Sequence, residues 1–115
     1  MTAPIMARIT AAENCVDGAP ALDAAAIAAL LVQVPAWQVD AATLVRRYSF
    51  ANWQAALAFA NAAGAMVEQQ NHHPVLTMSY TYCELRFTTH SAGNTVTRND
   101  FICAARADAL YQGQP

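Results

Sequence analysis

The stretch LTMSYTYCELRFTTH, Leu76 to His90, decides the architecture. Read as extended chain, it puts Cys83, Leu85 and Phe87 on one side and Tyr80, Tyr82, Glu84, Arg86, Thr88 and His90 on the other. That alternation predicts one long, half-exposed strand over 76–90, with its apolar side toward a core. Upstream, residues 52–71 carry apolar side chains at helical spacing. Trp53, Leu57, Ala60 and Val67 share one face, with Phe59, Ala63 and Met66 adjoining. Ser49 or Asn52 is placed to cap that helix, and Pro74 ends it by pushing His73 out of helical geometry.

Further out, Leu22, Ala26, Leu30 and Val34 recur at spacing four between Pro20 and Pro35, predicting a helix over 22–34. Trp37–Val39 and Thr43–Phe50 read as short strands around the turn Asp40-Ala41-Ala42. After the loop 91–96, Thr97-Arg98-Asn99-Asp100 has the form of a capping box opening a last helix to about Leu110. The order helix, two strands, helix, long strand, helix predicts an α+β layer, with helices on one face of an antiparallel sheet. Residues 1–20 read as an N-terminal arm and 21–115 as a single domain.

Composition narrows the function. The chain is 56% hydrophobic, but much of that is alanine, so the core is expected to be thin. Its anchors are expected to be Leu30, Leu31, Trp37, Leu44, Phe50, Trp53, Leu57, Phe59, Leu85, Phe87 and Phe101. Such a domain is expected to gain stability by self-association. Only 12% of residues are charged and the net charge is −2, with no basic stripe, which argues against direct nucleic-acid binding. No apolar run is long enough to span a membrane, and no signal peptide is evident. Cys15, Cys83 and Cys103 are odd in number and widely spaced, which suits a reducing compartment, and the expected location is cytoplasmic.

The chemistry is concentrated in three histidines. His72 and His73 adjoin each other at a helix end fixed by Pro74, and His90 follows Thr88-Thr89. A lone histidine is usually a surface or satisfied side chain; three so placed in a chain with few charges weaken that reading. Metal binding is not expected, because adjacent imidazoles diverge and no HxxxH pair or acidic cluster accompanies them. A cysteine nucleophile is weaker still, since Cys83 faces the core and the other two lack an adjacent base. General acid–base work needs only imidazoles that titrate near neutrality.

The spacing Glu68-x3-His72-His73-Pro74-x5-Tyr80-x9-His90-x9-Asp100 resembles the signature of the pterin-4a-carbinolamine dehydratase family. Leu31 to Trp37, Arg47, Phe50, Trp53 and Phe59 extend the likeness over about residues 22–110. The resemblance implies a four-stranded antiparallel sheet with helices packed on one face, assembled as a homodimer or homotetramer. It implies dehydration of 4a-hydroxytetrahydrobiopterin to quinonoid dihydropterin, with the pterin as substrate, no cofactor, and a functional link to an aromatic amino-acid hydroxylase. His72 and His90 match the family's acid–base pair, and His73 the histidine that holds the pterin. Pro74 sets the geometry of the pair, and Thr88 and Thr89 lie where the family uses strand backbone near the ring. Glu68 and Asp100 match supporting positions, although Asp100 reads more simply as a helix cap and Glu68 equally well as a solvated helix residue. Tyr80 is expected to be structural, because along one strand it would stand about 30 Å from His90. Val75, Leu76 and the loop 91–96 depart from the family pattern at the rim of the site, which bears on substrate affinity. The alternative on the same fold is a non-catalytic binding or assembly module, such as a coactivator or an assembly factor for a carboxylating enzyme. Members of that kind tend to lack the histidine pair, which stands here.

Overall fold

The computed structural model describes residues 8–113. Of the expected arm over 1–20, residues from Arg8 onward are described; Met1–Ala7 lie outside the described residues, as does the start on which the signal-peptide expectation rests. The elements are α1 (Ala24–Leu31), β1 (Gln38–Asp40), β2 (Thr43–Ser49), α2 (Trp53–Gln70), β3 (Val75–Ser79), β4 (Tyr82–Phe87), a 3-10 turn (His90–Ala92) and α3 (Arg98–Gln112). The four strands form one antiparallel sheet in the order β1-β2-β4-β3. α2 packs on α3 and on β3 and β4, and α3 also reaches β2. This is the expected α+β architecture. Among the described residues no helix is long and apolar enough to cross a membrane.

The expectation of one strand over 76–90 is corrected. The chain turns back at Tyr80-Thr81, and β3 pairs with β4 from Ser79↔Tyr82 to Val75↔Arg86. His90 likewise does not end a strand: it opens the 3-10 turn, after Thr89 has made an isolated bridge to Thr95. Tyr80 and His90 still lie beyond opposite ends of β4, though not through one extended chain. α1 is shorter than 22–34. The Asp23 carboxylate caps it by accepting from the Ala26 N–H at 2.8 Å, and the chain beyond Leu31 tightens into turns, Gln33 N–H to Leu30 and Val34 N–H to Leu31.

The inner face of the sheet carries Leu44, Tyr48, Cys83, Leu85 and Phe87, all fully buried. Of the expected anchors, Leu30, Trp37, Leu44, Phe59, Leu85, Phe87 and Phe101 are buried, while Leu31 and Phe50 are partly buried against the core. Trp53 and Leu57 are corrected. They are 44% and 40% exposed, because the buried stripe of α2 runs through Ala56, Phe59, Ala60, Ala63, Met66 and Val67 and leaves both on its flank. Alanine on that stripe lets α2 and α3 approach closely, and the large aromatic volume comes instead from Tyr48, tilted 43° against Phe59 with ring centroids 4.5 Å apart. On the opposite face the charges are paired, Arg47 with Glu84 and Arg86 with Asp40.

Candidate functional site

The β3–β4 register assembles the site. Paired positions sum to 161 as far as Val75 with Arg86, so the chain before β3 runs back alongside the chain after β4, and His72 and His73 share one cavity with Thr88 and Thr89. The helix-to-strand connection that carries the histidine pair therefore meets the end of β4 that leads to His90. The turn before it is made by Asn71, which caps α2 in the left-handed region at φ 52°, its N–H returning to the carbonyls of Val67 and Glu68. Asparagine tolerates that conformation better than most side chains. The His72 N–H follows, donating to the Val67 carbonyl at 3.1 Å.

His72, His73, Thr88, Thr89 and His90, with Asn71 and Ser91, line an open cavity of about 280 Å³. All three histidines thus reach one space. A smaller cavity of about 100 Å³ adjoins it at Asn71, His72, Thr89 and Ser91, and its far wall is Cys15 to Gly18.

Each imidazole has one nitrogen held by an oxygen acceptor. His72 Nε2 stands 2.6 Å from Asp100 Oδ1, His73 Nε2 2.7 Å from Glu68 Oε1, and His90 Nδ1 2.6 Å from Asn94 Oδ1. An oxygen acceptor assigns the proton to the nitrogen facing it, so the neutral rings keep His72 Nδ1, His73 Nδ1 and His90 Nε2 as lone-pair positions. The three are not equivalent. The His72 side chain is 12% exposed and its ring lies parallel to Phe87, with centroids 6.0 Å apart. Burial opposes its protonation, but the hydrogen bond and charge of Asp100, with a smaller contribution from Cys15, outweigh that and raise its pKa. His73 and Glu68 are both exposed, so their pair orients a ring more than it stabilises the fold.

Asp100 is fully buried and does two things at once. Its Oδ2 accepts from the Thr97 N–H at 2.8 Å, completing the capping box of α3, and from the Thr89 hydroxyl at 2.9 Å; its Oδ1 faces His72. The cap reading and the supporting reading are the same carboxylate. Thr89 borders the cavity with its hydroxyl turned away, buried between Asp100 and Thr97, which leaves its backbone to face the space. Thr88 is half-buried and donates its hydroxyl to the Ala42 carbonyl at 3.1 Å. Pro74 sits half-buried between His73 and the start of β3. Tyr80 is 71% exposed at the far end of the hairpin.

Sequence reasoning named the arm but not its place beside the site. Val16 and Asn99 exchange two hydrogen bonds, Val16 N–H to Asn99 Oδ1 at 3.0 Å and Asn99 Nδ2 to the Val16 carbonyl at 2.7 Å. Gln70 accepts from the Cys15 N–H at 2.7 Å. These contacts bring Cys15–Gly18 over the His72 side of the site, and no local pattern in the sequence announces them. Asn94, the partner of His90, was legible only as a loop residue. Among the described residues no group of three or more His, Cys, Asp or Glu side chains is placed to hold a metal ion.

Comparison with known proteins finds relatives along most of the chain. The chain is 36% identical over 98 residues to a protein of Nitrosospira multiformis, covering 85% of this chain and 86% of that one. It is 41% identical over 99 residues to one of Paracoccus denitrificans, covering 84% and 92%. Both relatives are named, provisionally, pterin-4-alpha-carbinolamine dehydratases. Among solved structures it resembles a transcriptional coactivator/pterin dehydratase from Brucella melitensis, with TM-score 0.74, 27% identity, and 79% of this chain and 98% of that one covered. It also resembles a pterin dehydratase-like protein identified as a RuBisCO assembly factor in the alpha-carboxysome, with TM-score 0.54, 26% identity, and 69% and 89% covered. The profile described as Pterin 4 alpha carbinolamine dehydratase matches residues 20–110, and the chain belongs to that family.

Proposed function

We propose that the chain dehydrates a 4a-hydroxytetrahydropterin, of which 4a-hydroxytetrahydrobiopterin is the reference substrate, to the quinonoid dihydropterin. The observation that carries this reading is the convergence of His72, His73 and His90 on one cavity, each ring fixed by an acceptor and each keeping a second nitrogen. Loss of water needs a proton delivered to the 4a-hydroxyl and a proton removed from N5. His72, with its raised pKa, holds a proton more readily near neutrality and donates it to the departing hydroxyl. His90 accepts the N5 proton at Nε2 while Asn94 fixes its tautomer. His73, exposed and oriented by Glu68, hydrogen-bonds the pterin, and Pro74 holds it apart from His72. Thr88 and the backbone of Thr89 form the floor beside the ring. The pterin is substrate, and the scheme uses neither a metal nor a resident cofactor. A functional link to an aromatic amino-acid hydroxylase follows, because such an enzyme releases the carbinolamine.

A binding or assembly role is the second reading, favoured by the likeness to solved proteins named as coactivator and assembly factor. The two separate on one experiment, the decay of a freshly generated 4a-carbinolamine with purified protein. His72→Ala and His90→Ala are expected to lower turnover by about 10²–10⁴-fold after the spontaneous rate is subtracted. His73→Ala is expected to act chiefly on substrate affinity. Folded variants that all keep wild-type turnover and affinity would replace the enzyme with the binding module.

A further inference from the structure

Cys15 and Cys103 stand 88 positions apart in sequence, yet their sulfurs are in contact at 3.6 Å. The scheme above uses neither. Cys103 is fully buried on α3, whereas Cys15 is half-buried and lines the small cavity beside His72. The third cysteine behaves differently. Cys83 is buried on the inner face of the sheet, and burial pushes its thiol up to about 11. The Cys15 thiol is lowered: the hydrogen bond with Cys103 favours its thiolate most, burial opposes, the charge of His72 favours it and that of Asp100 opposes; Cys103, the donor in that contact and buried, is raised.

We propose that Cys15 and Cys103 form a reversible redox site, in which a peroxide oxidises Cys15 and Cys103 then closes a disulfide with it. Cys15 sulfur attacks one oxygen of hydrogen peroxide; the S–O bond forms, the O–O bond breaks, and the departing hydroxide takes the thiol proton to leave as water. Cys103 sulfur attacks the sulfenic sulfur; the S–S bond forms, the S–O bond breaks, and the hydroxyl leaves with the Cys103 proton as a second water. The two sulfurs give up two electrons and the peroxide becomes two waters. A small-molecule dithiol reverses the bond by exchange.

The order of events follows access, since Cys15 borders a cavity and Cys103 does not. A bonded pair is about 2.05 Å apart, so the sulfurs must close by roughly 1.5 Å. Cys15 can supply that movement because it lies in neither helix nor strand; its N–H is held by the Gln70 side chain, and its sulfur has a weak 3.6 Å contact with the Asn99 carbonyl. The arm already docks on α3 at this place: Val16 pairs with Asn99, Arg98 with Glu13, and Arg106 donates to the Glu13 carbonyl. A disulfide would make that docking covalent beside His72. The proposal rests on the thiol pair and is independent of the pterin reading.

The test treats the full chain with a few equivalents of hydrogen peroxide, then denatures it, alkylates free thiols and maps peptides by mass spectrometry. The expected product is an intramolecular Cys15–Cys103 peptide pair lighter by two hydrogens, restored by dithiothreitol, with Cys83 still alkylated. In the native protein, iodoacetamide should label Cys15 about tenfold or more faster than Cys83. Cys103→Ala, which keeps the buried position apolar, should divert Cys15 to a sulfenic acid trapped by dimedone, and Cys15→Ser should leave Cys103 reduced. The proposal fails if peroxide leaves both cysteines fully alkylatable, if wild type over-oxidises Cys15 as completely as Cys103→Ala does, or if the only disulfide joins two chains.

Discussion

At the scale of single residues, Asp100 ties fold stability to site chemistry, because the carboxylate that caps α3 also faces His72. Asp100→Asn removes the charge while nearly preserving shape. It is expected to cost about 1–3 kcal/mol, because buried partners lose a charge-assisted acceptor. It should also change the pH dependence of stability. The folded pKa of His72 lies above its ordinary 6.5, so the proton is bound more tightly in the folded state. That stabilisation is complete below 6.5 and is lost as pH rises through the raised folded value. Urea unfolding across this window should show wild-type stability falling with pH and a flatter profile in Asp100→Asn; equal slopes would show that the pair does not control His72. The histidine trio was legible in the sequence because adjacency and the following proline are local. The partnership of Asp100 with His72 was not, because a capping box explains that residue completely by itself.

At the scale of elements, the two β-hairpins show where local patterning succeeds and fails. The 76–90 stretch hides a turn because Tyr80-Thr81 contains no Gly, Pro, Asn or Asp. A trace of it remains in the parity of the core-facing residues, even at Leu76 and Met78 and odd at Cys83, Leu85 and Phe87. A two-residue turn reverses that parity, whereas a single strand preserves it. The first hairpin was legible, but its turn is strained. Asp40 pairs with Thr43 across Ala41 and Ala42, both with positive φ, 50° and 61°. Such a turn favours Asn-Gly, and left-handed backbone costs roughly 1–2 kcal/mol for residues with a Cβ. Ala41→Asn with Ala42→Gly should therefore raise stability by about 1–2 kcal/mol. Denaturant midpoints would measure the gain. Dehydration rates should be unchanged, since neither side chain lines the histidine cavity.

At the scale of the whole molecule, element order was enough to predict helices on one face of an antiparallel sheet, but convergence of distant groups was not. Asp108 on α3 gathers the Trp37 indole N–H, Arg46 and the Tyr48 hydroxyl, drawing β2 and the segment before β1 onto one helix. Strand alternation sets Arg46 and Tyr48 on one side of β2, but nothing local in the sequence names what they meet. The sheet ends at β1 and β3, and these edges differ. β1 has only three residues, whereas β3 has five, Val75-Leu76-Thr77-Met78-Ser79, with no charge and no proline inside it. Val75 is 65% exposed and Leu76 38%. An uncharged apolar edge whose outer backbone groups are unpaired among the described residues invites another strand, and the nearest match in register and chemistry is the same strand of a second copy. Self-association through β3 is therefore expected, extending the sheet across a two-fold axis and covering the apolar side chains of Val75 and Leu76. Sedimentation velocity at micromolar concentration should show a dimer or larger species. Val75→Lys with Thr77→Lys sets like charges at the edge of both copies, and should shift the protein toward monomer while circular dichroism stays that of the wild type. A wild-type chain that sediments only as monomer, or a double variant that associates as tightly as the wild type, would remove β3 as the contact.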